Sequence, residues 1–208
     1  VQNSAGMITS ATENLNQCLK VMSFDTTAGS RYKKAEELRA AGNFSASAYE
    51  FSRAAQSEKL AADANMQVAD LLKLIGNEPR SADYYQTALD LSPNNGVLRM
   101  KYARTLDKLG RYDEAVKVLR ESMELEADDP VKVASYSRRI VDIYEESGNR
   151  RGMKEELKAI VFRYDRGSLE DFRRLKSCYS RELWKKLRDG ILDELKGEPG
   201  IGRLYCEE

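Results

Sequence analysis

The chain of 208 residues contains no histidine, which removes both the commonest general acid–base and the commonest zinc ligand. It therefore holds no Ser-His-Asp or Cys-His arrangement, although carboxylate and lysine chemistry stay open. Cysteine is scarce and odd in number, with Cys18, Cys178 and Cys206 far apart and no CxxC pair. Such spacing offers neither a disulfide framework nor a zinc site and predicts small buried thiols in a reducing, cytoplasmic setting. Net charge is missing as well. Lys and Arg total 34, Asp and Glu total 34, so no global field draws the chain to nucleic acid or an anionic membrane. No apolar run approaches the roughly 18 to 20 residues that span a bilayer. The opening VQNSAGMITS lacks the charged and apolar regions of a signal peptide.

Proline is rare, and its four occurrences (Pro79, Pro93, Pro130 and Pro199) each fall where a helix should begin or has just ended. Between them the apolar residues recur at three and four, as in Ala35, Leu38 and Ala41, then Phe51, Ala54 and Ala55. The β-branched alternation of strands does not occur. Glycine gives the organisation. Gly42, Gly76 and Gly110 are spaced by 34 residues, and Gly148 follows after 38. A period in this range marks stacked helix–turn–helix repeats.

Around each glycine the same frame returns. Seven positions before it stand Ala35, Ala69, Ala103 and Val141; four before it, Leu38, Leu72, Leu106 and Tyr144. Five positions after it come Ser47, Ser81, Ala115 and Met153, and nine after it Phe51, Tyr85, Leu119 and Leu157. Ala54, Ala88, Ser122 and Ile160 complete the set. Small residues at fixed places let paired helices approach closely while bulky ones fill the groove beside them. The glycine itself suits the left-handed residue that follows a helix.

With this frame, about residues 28–165 resemble the tetratricopeptide repeat family. The best repeat is residues 96–129, with Tyr102, Ala103, Leu106, Gly110, Tyr112, Ala115, Leu119 and Ser122. The chain departs from the pattern where the family has an early aromatic, since Arg31, Asn65, Arg99 and Ser137 stand there. The resemblance implies an all-α, right-handed superhelical solenoid of antiparallel hairpins, here about twelve helices. The expected division is an N-terminal capping helix or partial repeat (1–27), four hairpins (28–167) and a C-terminal helical extension (168–208). Residues 5–22 read as one amphipathic helix, Ser168 as the N-cap of another, and Ser180 as the opening of the next. The chain starts at Val1 and ends in what reads as an unfinished helix, so it is expected to be a fragment of a longer protein. The tail also resembles, more weakly, the helical region of bacterial SWIM-type zinc-finger proteins through Phe172, Leu175, Trp184, Leu187, Ile191, Leu192 and Leu195. No metal or DNA-binding residue is carried across from that resemblance, since the zinc ligands are not in this chain.

In the tetratricopeptide family the first helix of each repeat lines the concave face. The resemblance places Tyr32, Lys33, Met66, Asp70, Met100, Lys101, Arg104, Lys108, Arg138 and Arg139 there. Residues 62–95 carry two basic and five acidic side chains, whereas 130–167 carry nine and six, so an acidic partner is expected toward the fourth repeat. The family's carboxylate clamp is not matched, because Tyr32, Glu36 and Val97 occupy three of its places. The glycine-rich segment 197–202 follows no strand and reads as an interhelix turn, not a nucleotide loop. The acidic run 121–129 lacks EF-hand spacing. The expected function is thus a non-catalytic scaffold holding a partner protein or peptide, without cofactor, metal, membrane or direct nucleic-acid contact. Two rival expectations remain: a helical arm of a larger nucleic-acid-associated or enzymatic protein, and a homodimerisation module joined through Trp184 and the C-terminal helices.

Overall fold

The computed structural model describes residues 27–165 and 168–194, and these are helical with no strand among them. Helix α1 is helical over 27–40, followed by α2 (Phe44–Ala54), α3 (Ala61–Leu74), α4 (Glu78–Leu91) and α5 (Gly96–Lys108). Then come α6 (Tyr112–Leu125), α7 (Pro130–Glu146), α8 (Arg150–Ala159), α9 (Leu169–Ser177) and α10 (Arg181–Glu194). Ten helices are thus described; the two more expected over 5–22 and from about Ile201 lie outside the described residues, as do Cys18, Cys206 and Pro199. No helix among the described residues is long and apolar enough to cross a membrane.

The glycine ladder does what its spacing predicts. Gly42, Gly76, Gly110 and Gly148 have φ of 78°, 77°, 72° and 73°, the left-handed region that any Cβ disfavours. Each closes a first helix by a doubled backbone bond. In the third hairpin Gly110 N–H donates to Asp107 C=O at 2.9 Å and Arg111 N–H to Leu106 C=O at 2.9 Å, the pairing of a Schellman stop. Three of the four second helices restart on an asparagine N-cap: Asn43, Asn77 and Asn149 accept from the N–H three residues on.

The frame residues are the core. Ala35, Ala69, Ala103, Val141, Phe51, Tyr85, Leu119 and Leu157 are all fully buried. The serines add a bond that spacing alone did not reveal. Ser47 Oγ donates to Ala35 C=O at 2.7 Å and Ser81 Oγ to Ala69 C=O at 2.8 Å, one per hairpin at the same register. In the fourth hairpin the small position is taken by Ile160, and there α8 gives way to a π-helical turn over Ile160–Tyr164. Asp165 N–H reaches back to Ile160 C=O at 2.9 Å, a widened turn at the site where small residues fit elsewhere.

The chain divides into two compact units, 1–98 and 99–208, with the cut inside α5. In the first, α3 packs on α2 and α4, around Ala35, Phe51, Val68, Leu71 and Leu72. In the second, α7 packs on α6 and α8, and α8 on α9. Its core joins Val141, Leu157 and Ile160 to Phe172, Leu175, Trp184 and Leu192 of α9 and α10. Both tail helices start as expected: Ser168 Oγ accepts from Asp171 N–H at 3.4 Å, and Ser180 Oγ from Leu183 N–H at 3.3 Å.

Candidate partner-binding site

The side chains assigned to the first-helix face differ in how far the protein already uses them. In the first unit Tyr32 is half-buried, edge-on to Phe51 at 4.9 Å between ring centroids, and its hydroxyl donates to Asp63 on α3. Burial, and then Asp63, push its phenol well above the ordinary value. Arg39 follows the same route. It donates to Gln67 Oε1 at 2.6 Å and lies 5.9 Å over the Phe51 ring. Asp70 accepts from the Tyr85 hydroxyl at 2.5 Å, and burial with Asp70 pushes that phenol up as well. Lys33 is exposed and Met66 half-buried on the same helices.

In the second unit the structure separates the five basic residues. Arg138 donates to Asp171 Oδ2 at 2.9 Å through Nε and also pairs with Asp165. Burial pulls its guanidinium down, and Asp171 and Asp165 more than offset that. Arg139 pairs with Asp107 of α5, whose side chain is 3% exposed. Both arginines thus tie α7 to its neighbours. Arg104 and Lys108, one turn apart on α5, are exposed and carry no ion pair among the described residues. Lys101 and Met100 are half-buried beside them in sequence.

Bonds to glutamates occupy three of the four departures from the family pattern. Arg31, in an aromatic's place, donates to Glu50 Oε2 at 3.0 Å, and Lys34 to Glu50 Oε1 at 2.7 Å. Arg99 donates to Glu121 at 3.0 Å, and Ser137 bonds the buried Glu156, which Arg120 also holds. Polar residues of first helices thereby join glutamates of second helices where the family packs a ring. No signal within one repeat announces these pairs.

Open concavities occur in the second unit. One of about 720 Å³ is lined by Tyr144, Arg150, Arg151, Lys154 and Cys178. Another of about 650 Å³ lies at the α9–α10 junction. Cys178 is half-buried, and burial pushes its thiol up, away from the reactive thiolate. No group of three or more Cys, Asp or Glu side chains suited to a metal occurs among the described residues.

Residues 76–135 match the tetratricopeptide repeat family model. No curated protein matches the sequence. Solved structures do. MamA residues 41–end from Desulfovibrio magneticus RS-1 is 15% identical at a TM-score of 0.58, covering 89% of this chain and 98% of that one. YrrB, described as a tetratricopeptide repeat protein with an unusual peptide-binding site, is 16% identical at 0.54, covering 86% and 91%. PilF of Pseudomonas aeruginosa is 16% identical at 0.56, covering 83% and 77%. At these identities the likeness establishes the fold, a helical solenoid of tetratricopeptide type.

Proposed function

We propose that this chain, whose residues 76–135 are tetratricopeptide repeat and whose fold is that of the family, is a non-catalytic scaffold that holds a partner protein or extended peptide on its first helices. The observation that carries the reading is the pair Arg104 and Lys108. They are exposed one turn apart on α5 without an ion pair among the described residues, beside the half-buried Met100 and Lys101. Unpaired cations next to an adaptable apolar side chain suit a peptide carrying carboxylates and a hydrophobic anchor. In the first unit Lys33, exposed on α1, and Met66, half-buried on α3, supply the same two chemistries. Arg138 and Arg139 contribute by holding α7 in place, since their guanidinium groups are spent on Asp171, Asp165 and Asp107. An acidic partner segment is the expected ligand of the α5 face.

The test is affinity capture from the source cell with the intact gene product and its Arg104→Glu/Lys108→Glu variant. Capture should fall while the thermal midpoint holds, because neither side chain supports the fold. Recovery of the same partners by a variant of unchanged stability rejects α5 as the site.

A further inference from the structure

A neutral chain conceals a strongly basic segment. Residues 150–188 carry thirteen basic and six acidic side chains, an excess of seven positive charges within a formal net charge of +0. Some of that excess is balanced internally, as where Arg174 meets Asp142 and Glu145 at 3.0 Å each. Four of the thirteen, Lys176, Arg181, Lys185 and Arg188, line a cleft of about 650 Å³ between the end of α9 and α10, with Tyr179 and Trp184 and with no carboxylate among the described residues.

Arg181, Lys185 and Arg188 share one face of α10 through their spacing of four and three. Arg188 meets the exposed Asp189 at 3.0 Å, a pairing of little worth in water. Arg181 and Lys185 are exposed and have no ion pair among the described residues. The first turn of α10 adds the positive end of a helix dipole to the same place.

The aromatic floor decides which polyanion fits. Trp184 is 6% exposed; it packs edge-on against Phe172, with centroids 5.3 Å apart, and tilted against Tyr179 at 6.0 Å. Lys154 Nζ already sits 4.3 Å over the Tyr179 ring. Single-stranded nucleic acid asks for open ring faces on which bases stack, and here both rings are engaged within the protein. A ring of cations above an apolar floor instead matches carboxylate side chains flanking one apolar residue. We infer that the α9–α10 cleft docks an acidic protein segment, at a site separate from the first-helix residues and independent of what binds there.

Trp184 is the chain's single tryptophan, so its emission reports on this cleft directly. The full chain is titrated with a tryptophan-free peptide of about a dozen Glu and Leu residues, with a single-stranded oligonucleotide of similar length as the competing class. The expected result is a saturable change in emission with the peptide that weakens steeply as salt rises. Arg181→Glu/Lys185→Glu should weaken it roughly tenfold or more, and the milder Arg181→Gln/Lys185→Gln in the same direction. Lys117→Glu, an exposed change on α6 away from the cleft, should bind as the parent does. Unaltered emission, or affinity unchanged from the parent in both α10 variants, overturns the inference. Tighter binding of the oligonucleotide overturns it in favour of nucleic acid.

Discussion

Glu50 shows what single side chains do in this fold. Its side chain is 9% exposed, with Arg31 at 3.0 Å and Lys34 at 2.7 Å on its two oxygens. The hydrogen bond from Lys34, opposed by burial and then reinforced by Arg31, holds the carboxyl below its ordinary value of 4.5. A folded-state value depressed below the unfolded one means that the fold favours the charged carboxylate. The stabilisation is therefore fully present above 4.5 and is lost as pH falls through the depressed value. Glu50→Gln should lower the thermal midpoint at neutral pH, and the gap to the parent should close in acid. A gap that stays constant from neutral pH to pH ~3 contradicts the ion-pair account. Glu156 is another glutamate held by a cation of a neighbouring helix. It is buried, but its partner Arg120 is 43% exposed and can turn to water, so removing Glu156 strands no buried charge.

At the scale of the helix pair, the serine bonds make the strongest claim. Ser81 is fully buried and its hydroxyl reaches the Ala69 carbonyl across the hairpin. Ser81→Ala should cost about 1 kcal/mol, the net worth of one buried hydrogen bond. In the third hairpin the same two places hold Ala115 and Ala103, both fully buried. Ala115→Ser sets a hydroxyl opposite the Ala103 carbonyl, so it should cost little or stabilise. Paired urea titrations decide the matter; equal losses from both substitutions show that the position wants only small volume. The frame that locates these residues was legible in the sequence because helix length, stop and close approach are local demands repeated at fixed spacing. The stops at Gly42, Gly76, Gly110 and Gly148 and the buried register follow from it, and the caps at Ser168 and Ser180 from the local sequence beyond the frame. The ion pairs were not legible. Arg138 meets Asp171 at a separation of 33 residues and Arg139 meets Asp107 at 32, and no periodicity encodes which long side chain finds which. Hence the sequence placed Lys101, Arg104, Lys108, Arg138 and Arg139 on one face as alike, although Arg138 and Arg139 are held by Asp171 and Asp107 while Arg104 and Lys108 are exposed and carry no ion pair among the described residues. The π-helical turn at Ile160 has a sequence trace, a bulky residue in a small residue's place, but spacing did not show how the backbone would answer it.

For the molecule as a whole, the cut between Leu98 and Arg99 divides one tetratricopeptide-type chain into two compact units. In repeat folds each element is stabilised by its immediate neighbours, so cooperativity extends only as far as strong neighbour contacts do. The second unit is further cross-linked by Arg120–Glu156, Arg138–Asp171, Arg139–Asp107 and Arg174–Asp142, partly buried pairs that salt screens weakly. Trp184 belongs to that unit and packs in its core, whereas far-UV circular dichroism reports every helix of the chain. Urea unfolding should therefore give two curves that do not superimpose. The dichroism loses signal in a phase that leaves Trp184 emission unaltered, and coincidence of probes, the mark of a two-state transition, fails. Superimposable curves with a single midpoint mean that α5 couples the units into one cooperative body. The same experiment on Arg139→Gln tests the pairing inside the second unit: the Trp184 transition should move to lower urea while the phase seen only by dichroism stays where it was.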